Sequence, residues 1–318
     1  MLKIMENKML KSFTKRVLFL FTLIVIAGMT GCKSSDNPVQ PTDVNVEAMQ
    51  SIASEDSTVL NFEANWQDDI SGEVAKTASG WVTLDVKRKI NSVTRSFQIR
   101  VVGDSALGIA TFTFNNTLVI RAKKDSNSTT DTTLRKNYTA VVKRNLVFEK
   151  VNSSNNPRNN WKLVAWSAVQ GGTAASISKI QSLQITAPGI VPIDVTSPNN
   201  LYLARGIARF KQLPVFDKNS EVTLTLKVLS TTDDPDYVIL NYGADNRGIN
   251  KNKQVFQLVS TVSSGTSYIK TYRAVMNTTN YAGYFHMVMD VLTKKAVADD
   301  STPVESDVWS LPYGVKNL

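Results

Sequence analysis

The apolar positions of this chain change period along its length. Residues 1–31 hold a basic stretch followed by an apolar run, Val17 to Ala27, broken only by Thr22. In residues 45–68, Val46, Met49, Ile52 and Ala53 recur at helical spacing, and Glu55-Asp56-Ser57 suits the cap of a second short helix. One or two helices are predicted there. From Trp81 the period falls to two. Val82, Leu84 and Val86 alternate with polar residues, as do Phe97, Ile99 and Val101, then Ala110, Phe112 and Phe114. Asn115-Asn116 predicts a tight turn into the next strand. Residues 138–151 read as a long strand with Val142, Leu146 and Phe148 on one side. Residues 161–169 read as another, ended by Gly171-Gly172, and the pattern is lost over 173–178. A second strand set follows, interrupted by Pro188, Pro192 and Pro198. Its cleanest member alternates Val222, Leu224, Leu226 and Val228 with Thr223, Thr225 and Lys227. Short strands at regular spacing predict a sandwich. The expected fold is mainly β: an N-terminal α+β domain over 45–175, with a helix and a curved antiparallel sheet, then a β-sandwich over 176–318.

The apolar run near the N-terminus matches the length of a signal-peptide core and is too short for the roughly 20 residues of a spanning helix. Lys3, Lys8, Lys11, Lys15 and Arg16 precede it, opposed only by Glu6. Met29-Thr30-Gly31-Cys32 then resembles the lipobox of bacterial lipoprotein signal peptides, with Met29 where that family most often carries Leu. The resemblance implies cleavage before Cys32, a diacylglycerol thioether on its sulfur and acylation of the new amino terminus. Residues 1–31 would be the signal peptide and 32–44, rich in Ser, Asn, Asp and Pro, a flexible tether. Two or three acyl chains hold a protein far more firmly than one. The expected location is the bacterial cell envelope, lipid-anchored on the periplasmic side or at the surface.

Composition narrows the function classes. The chain has 318 residues, 36 Lys+Arg, 27 Asp+Glu, one His and one Cys. A single cysteine forbids an internal disulfide and any thiolate metal cluster. The formal charge of +9 invites a nucleic-acid partner. Removing residues 1–31 leaves 31 basic and 26 acidic residues, a net +5. The bases are scattered rather than striped, so attraction to anionic glycans or lipid headgroups is the better use of that charge.

The order of helix and then long curved strands, with Arg144 to Phe148 followed by Trp161-Lys162-Leu163, resembles the cystatin-like cone of the NTF2-like superfamily over 45–173. A lipocalin-like barrel fragment is the alternative. The resemblance implies a cone able to hold a ligand or an active site. Arg144, between Val142 and Leu146, is expected at the rim or in solvent, with a cone-lining place as the alternative. Tyr281-Ala282-Gly283-Tyr284-Phe285 is similar to the late-strand entry of immunoglobulin-like and fibronectin type III domains.

The remaining candidates for chemistry are few. His286 is expected on a sheet surface, on the face opposite Phe285, Met287 and Met289, and no Gly-x-Ser-x-Gly elbow accompanies it. Ser176-Ile177-Ser178-Lys179 matches the S-x-x-K pattern but runs into a strand rather than a helix. Asp233, Asp234 and Asp236, the Asp299-Asp300 pair and the Asp245-to-Asn250 loop are acidic clusters read as solvated turns, calcium being the competing reading. Trp66, Trp81 and Trp161 are candidates for a carbohydrate-stacking platform, core or rim being their ordinary place. Cys32 is the one assigned site residue. No catalytic residue, cofactor or metal is assigned. The expectation is a non-catalytic binding, adhesion or assembly module, with a ligand-binding or enzymatic cone as the alternative.

Overall fold

The computed structural model describes residues 43–60, 66, 82–123, 131–204, 213–244, 251–298 and 301–316. The lipobox, Cys32 and the tether lie outside them. Helix α1, Val44–Glu55, starts where the Asp43 carboxylate accepts the Asn45 N–H at 2.9 Å. That N-cap satisfies an otherwise orphaned backbone donor. Met49 and Ala53, one turn apart, are its buried residues. A short helix α2, Ser57–Leu60, follows the break at Asp56, whose carbonyl accepts Val59 N–H at 3.0 Å. This agrees with the one or two helices predicted there.

The strands β1 (Val82–Val102), β2 (Ser105–Lys123) and β3 (Asp131–Lys150) form a long antiparallel meander. The apolar phase of β1 passes from even positions (Val86) to odd ones (Phe97, Ile99, Val101). A bulge between Ile90 and Ser92 supplies the extra residue that makes this switch. The turn expected at Asn115-Asn116 is absent, because β2 runs straight through both residues. Asn115 is held on the outer face, where its amide donates to Ser92 Oγ at 3.0 Å and its carbonyl oxygen accepts from Thr139 Oγ1 at 3.1 Å. Cross-strand partners thus offer the amide what a turn would otherwise provide.

The strands β4 (Trp161–Ser167) and β5 (Val169–Gly172) continue along β3. Gly171 and Gly172 are the last two residues of β5, so the strand ends there as expected, with both glycines still paired within the sheet. A Cβ on Gly171 would lie 2.1 Å from the Val141 carbonyl oxygen, and one on Gly172 would lie 2.1 Å from that of Ser306. Only glycine lets β3 and β16 (Ser306–Lys316) close on both sides of this strand.

The remaining elements are β6 (Ser178–Thr186), β7 (Ile193–Val195), β8 (Tyr202–Ala204), β9 (Val215–Asp217), β10 (Glu221–Ser230), β11 (Tyr237–Ala244), β12 (Asn252–Val255), β13 (Gln257–Ser264), β14 (Ser267–Asn277), β15 (Gly283–Leu292) and helix α3 (Lys294–Ala298). One 11-stranded sheet runs in the order β1-β2-β3-β5-β16-β15-β11-β12, with β4, β8 and β9 at its margins. A 5-stranded sheet runs β13-β14-β10-β6-β7. Pairing is antiparallel except between β9 and β16. The large sheet curls on itself. Lys253 on β12 reaches the Val86 carbonyl on β1 at 2.6 Å, and Arg88 on β1 pairs with Asp290 on β15.

The alternation in β15 directs two cores. Phe285, Met287, Met289 and Val291 face the 5-stranded sheet, packing with Leu224, Leu226 and Tyr272. Val288 faces the inside of the curl with Trp66, Phe112, Phe114 and Met49. Each fully buried side chain of this kind is worth about 1.5–3 kcal/mol. The large sheet crosses the boundary expected at 175/176, since β5 on one side of it is hydrogen-bonded to β16 on the other. Residues 43–318 form one compact unit. The protein is mainly β, and helices α1 and α2 open the described chain.

Candidate functional site

A concavity lies on the outer face of the large sheet, where β3, β5 and β16 meet the start of β6. It has a volume of about 630 Å³. Gly171, Gly172 and Val141 form its floor. Lys143, Gln170, Lys179, Ser197, Asp307 and Trp309 also line it. The local sequence explains the placement. Odd positions of β3 and β16 share the outer face, and the register sets Lys143 opposite Gln170, Gln170 opposite Trp309, and Gly172 opposite Asp307.

Asp307 organises one wall. Its carboxylate accepts the Ile180 N–H at 2.9 Å and the Lys179 ammonium at 3.3 Å. Burial pushes its pKa up from the usual carboxylate range, against the opposing pull of Ile180 and Lys179. On the other wall Ser197 Oγ donates to Gln170 Oε1 at 3.1 Å. The cleft therefore offers ammonium groups, an amide, hydroxyls and one carboxylate above a backbone floor. That set is chemically suited to a polar ligand, through hydrogen bonds and charge.

The sequence candidates fall elsewhere. Arg144 is not at a rim: it is 1% exposed inside the curl and donates to the Val59 carbonyl at 2.6 Å. Burial lowers its pKa to about 9. His286 is likewise no surface residue but 5% exposed, because the inside of the curl covers the face opposite Met287. Burial, helped by the positive charge of Arg144, lowers its pKa to about 3, so the ring is neutral near pH 7. In the Asp233-to-Asp236 turn, Asp234 pairs with Lys294 at 2.9 Å and Asp236 with the buried Lys270 at 3.0 Å. Those carboxylates face ammonium groups. Asp299, Asp300 and 245–250 lie outside the described residues. Among the described residues no group of three or more His, Cys, Asp or Glu is placed to hold a metal ion. Ser176 donates to the Ser178 carbonyl at 2.8 Å, and Lys179 serves the cleft from a strand.

The tryptophans are core rather than platform. Trp66 is buried edge-on against Phe114 at 4.7 Å between centroids, with the Arg88 guanidinium 4.3 Å above its ring. Trp161 donates to Asn45 Oδ1 at 3.0 Å, tying β4 to α1. Trp81 lies outside the described residues. Sequence reasoning missed Gln170, Asp307 and Trp309 as a group. Asp307 alone left a trace, as an acid opening the otherwise uncharged stretch Val308 to Val315.

No known family model matches the chain, and no curated protein matches it. Among the described residues no helix is long and apolar enough to cross a membrane.

Proposed function

We propose that the protein is a lipid-anchored, non-catalytic binding protein of the bacterial cell envelope, held through Cys32 and taking its ligand in the cleft at the β3–β5–β16 junction. The observation that carries the reading is that cleft. A glycine floor brings backbone and ligand close, and Lys143, Lys179, Gln170, Ser197 and Asp307 surround it with groups suited to hydrogen bonding. The signal-like segment and the Met29-to-Cys32 resemblance supply the anchor and the location.

The finer fold reading belongs to the same proposal. Helix α1 against the curved β1–β3 meander supports an NTF2-like, cystatin-like cone. The 5-stranded sheet facing β15 and β16 supports an immunoglobulin-like sandwich, here fused to the cone through β5 and β16. The competing reading places a ligand or an active site inside the cone. Trp66, Phe112, Phe114, Met49 and Leu146 fill that interior, which favours the cleft.

Two measurements test the proposal on the full-length chain. Radiolabelled palmitate incorporation into the wild type, lost in Cys32→Ala, is expected; equal labelling of both sinks the anchor. Retention of envelope glycan or protein from solubilised native membranes should fall at least about fivefold in Lys143→Gln with Gln170→Ala. Retention independent of both substitutions rejects the cleft.

A further inference from the structure

The outer face of the β1–β3 meander leads into the cleft without interruption. Its side chains line up in rows across the three strands. One row is Lys89, Thr117 and Asn137; the next is Ser92, Asn115 and Thr139. Then come Thr94, Thr113 and Val141, and finally Ser96, Thr111 and Lys143. Val141 and Lys143 are already lining residues of the cleft. The first two rows are tied laterally. Thr117 Oγ1 accepts from the Asn91 amide at 2.9 Å and donates to Asn137 Oδ1 at 2.8 Å, and Asn115 bridges Ser92 and Thr139. Ser92, Thr94, Ser96, Asn115, Asn137 and Thr139 are all exposed. The face is thus an ordered field of hydroxyls and amides, each able to donate and accept.

Charge is placed at its two ends. Lys89, Arg121 and Arg135 are exposed at one end, and Lys143 and Lys179 stand at the cleft. Arg135 and Lys143 are eight residues apart on one strand, roughly 27 Å at ~3.4 Å per residue. β2 is paired along both edges and strand addition needs a sheet edge, here that of the terminal strand β1, so this face itself offers a peptide no strand partner. Val141 is the only exposed large apolar side chain in these rows, with Ile109 one row beyond them, so the rows themselves offer no set of apolar contacts for peptide side chains.

We propose that this face is a binding track for an acidic polysaccharide, an extended polymer of hydroxyls with carboxylates spaced along it, whose end enters the cleft. The inference rests on the cleft reading above and names its ligand class. The hydroxyl and amide rows match sugar hydroxyls, and the cationic ends match carboxylates.

The test uses the full-length chain in detergent, immobilised, with polygalacturonate, dextran and poly-L-glutamate as probes. Polygalacturonate should be retained over both others and released by salt, because surface charge pairs are screened. Lys89→Gln with Arg135→Gln should weaken its binding about 10-fold. The uncharged pair Asn115→Ala and Thr139→Val should weaken it about 3-fold, with thermal midpoints unchanged. Equal retention of poly-L-glutamate overturns the proposal in favour of an acidic peptide. So does an undiminished affinity in the Asn115/Thr139 variant, which leaves only ion exchange. If Lys143→Gln abolishes polygalacturonate binding while both track variants bind as wild type, the track fails and the cleft stands. If wild type binds none of the probes, the ligand class is wrong, whatever palmitate labelling says of Cys32.

Discussion

His286 gives the protein a pH dependence that its exposed groups do not. In the unfolded chain an imidazole titrates near 6.5; here burial and Arg144 hold it at about 3. Between those values the unfolded chain binds a proton that the folded chain refuses. His286 therefore costs the fold nothing above pH 6.5, and stability is lost as pH falls from there toward 3. The loss reaches about 5 kcal/mol at the acid end, taking ~1.4 kcal/mol per pH unit. Asp236 and Asp307 act with the opposite sign, since burial raises both. Urea midpoints between pH 7 and 4 should fall more gently in His286→Gln than in wild type. Parallel slopes would assign the acid limb elsewhere. Arg88 and Asp290 make a second residue-scale prediction. Both side chains are 2% exposed, Ser306 Oγ donates to the same carboxylate at 2.7 Å, and Tyr138 contacts the guanidinium. Arg88→Ala leaves a buried carboxylate without its cation, so a loss of about 3–5 kcal/mol is expected by denaturant titration. The double variant Arg88→Met with Asp290→Leu should recover most of it. Asn116 points the other way. Its amide is buried and makes no hydrogen bond among the described residues. Asn116→Val should leave thermal stability unchanged or raise it by about 1 kcal/mol.

At the scale of elements, the glycine pair of β5 is the most demanding feature. The strand is hydrogen-bonded on both sides, and both flanking carbonyls stand where a Cβ would be. Gly172→Ala must push β16 away at Ser306, beside the Ser306-to-Asp290 hydrogen bond and the Asp307 wall of the cleft. A loss of about 3 kcal/mol or more is expected, with ligand retention falling in the same variant. A fully stable Gly172→Ala protein would contradict the pinched geometry. The β1 bulge is the complementary device. It lets Val86 and Phe97 reach the same side of the sheet although their positions differ in parity. Helix α1 is tied down at its far end by Glu55, which takes Arg158 through both carboxylate oxygens and Ser51 at 2.9 Å. The Glu55 pKa is lowered to about 2 by these partners. This exposed contact is present above about pH 4.5 and lost as pH falls toward 2, and salt weakens it.

At the scale of the molecule, β15 and β16 are the shared wall of two cores. One face serves the 5-stranded sheet and the other the inside of the curl. Neither half can lose its packing without exposing a face of these strands. A single calorimetric transition is therefore expected, with calorimetric and van't Hoff enthalpies equal. Arg88→Ala, in the curl, and Lys270→Met, under the 5-stranded sheet, should shift that one transition. Two separate transitions, each moved by only one substitution, would show independent domains instead.

Local pattern was enough for the two helices, for most strand positions and for the β-rich class, because period and capping are written in neighbouring residues. Cys32 and its signal-like surroundings are likewise a sequence feature alone. Parity placed His286 opposite Met287, but burial of that face depends on α1, Trp66 and β1 folding over it, which no local signal encodes. The same holds for Arg144 inside the curl. Gly171-Gly172 was legible only as the end of a strand; the partners that require the glycines, Val141 and Ser306, stand about 30 residues before and 130 residues after. The cleft was invisible for that reason. Lys143, Gln170 and Asp307 become neighbours only through strand register between distant segments, whereas the sequence by itself determined the alternation that turns each of them to the outer face.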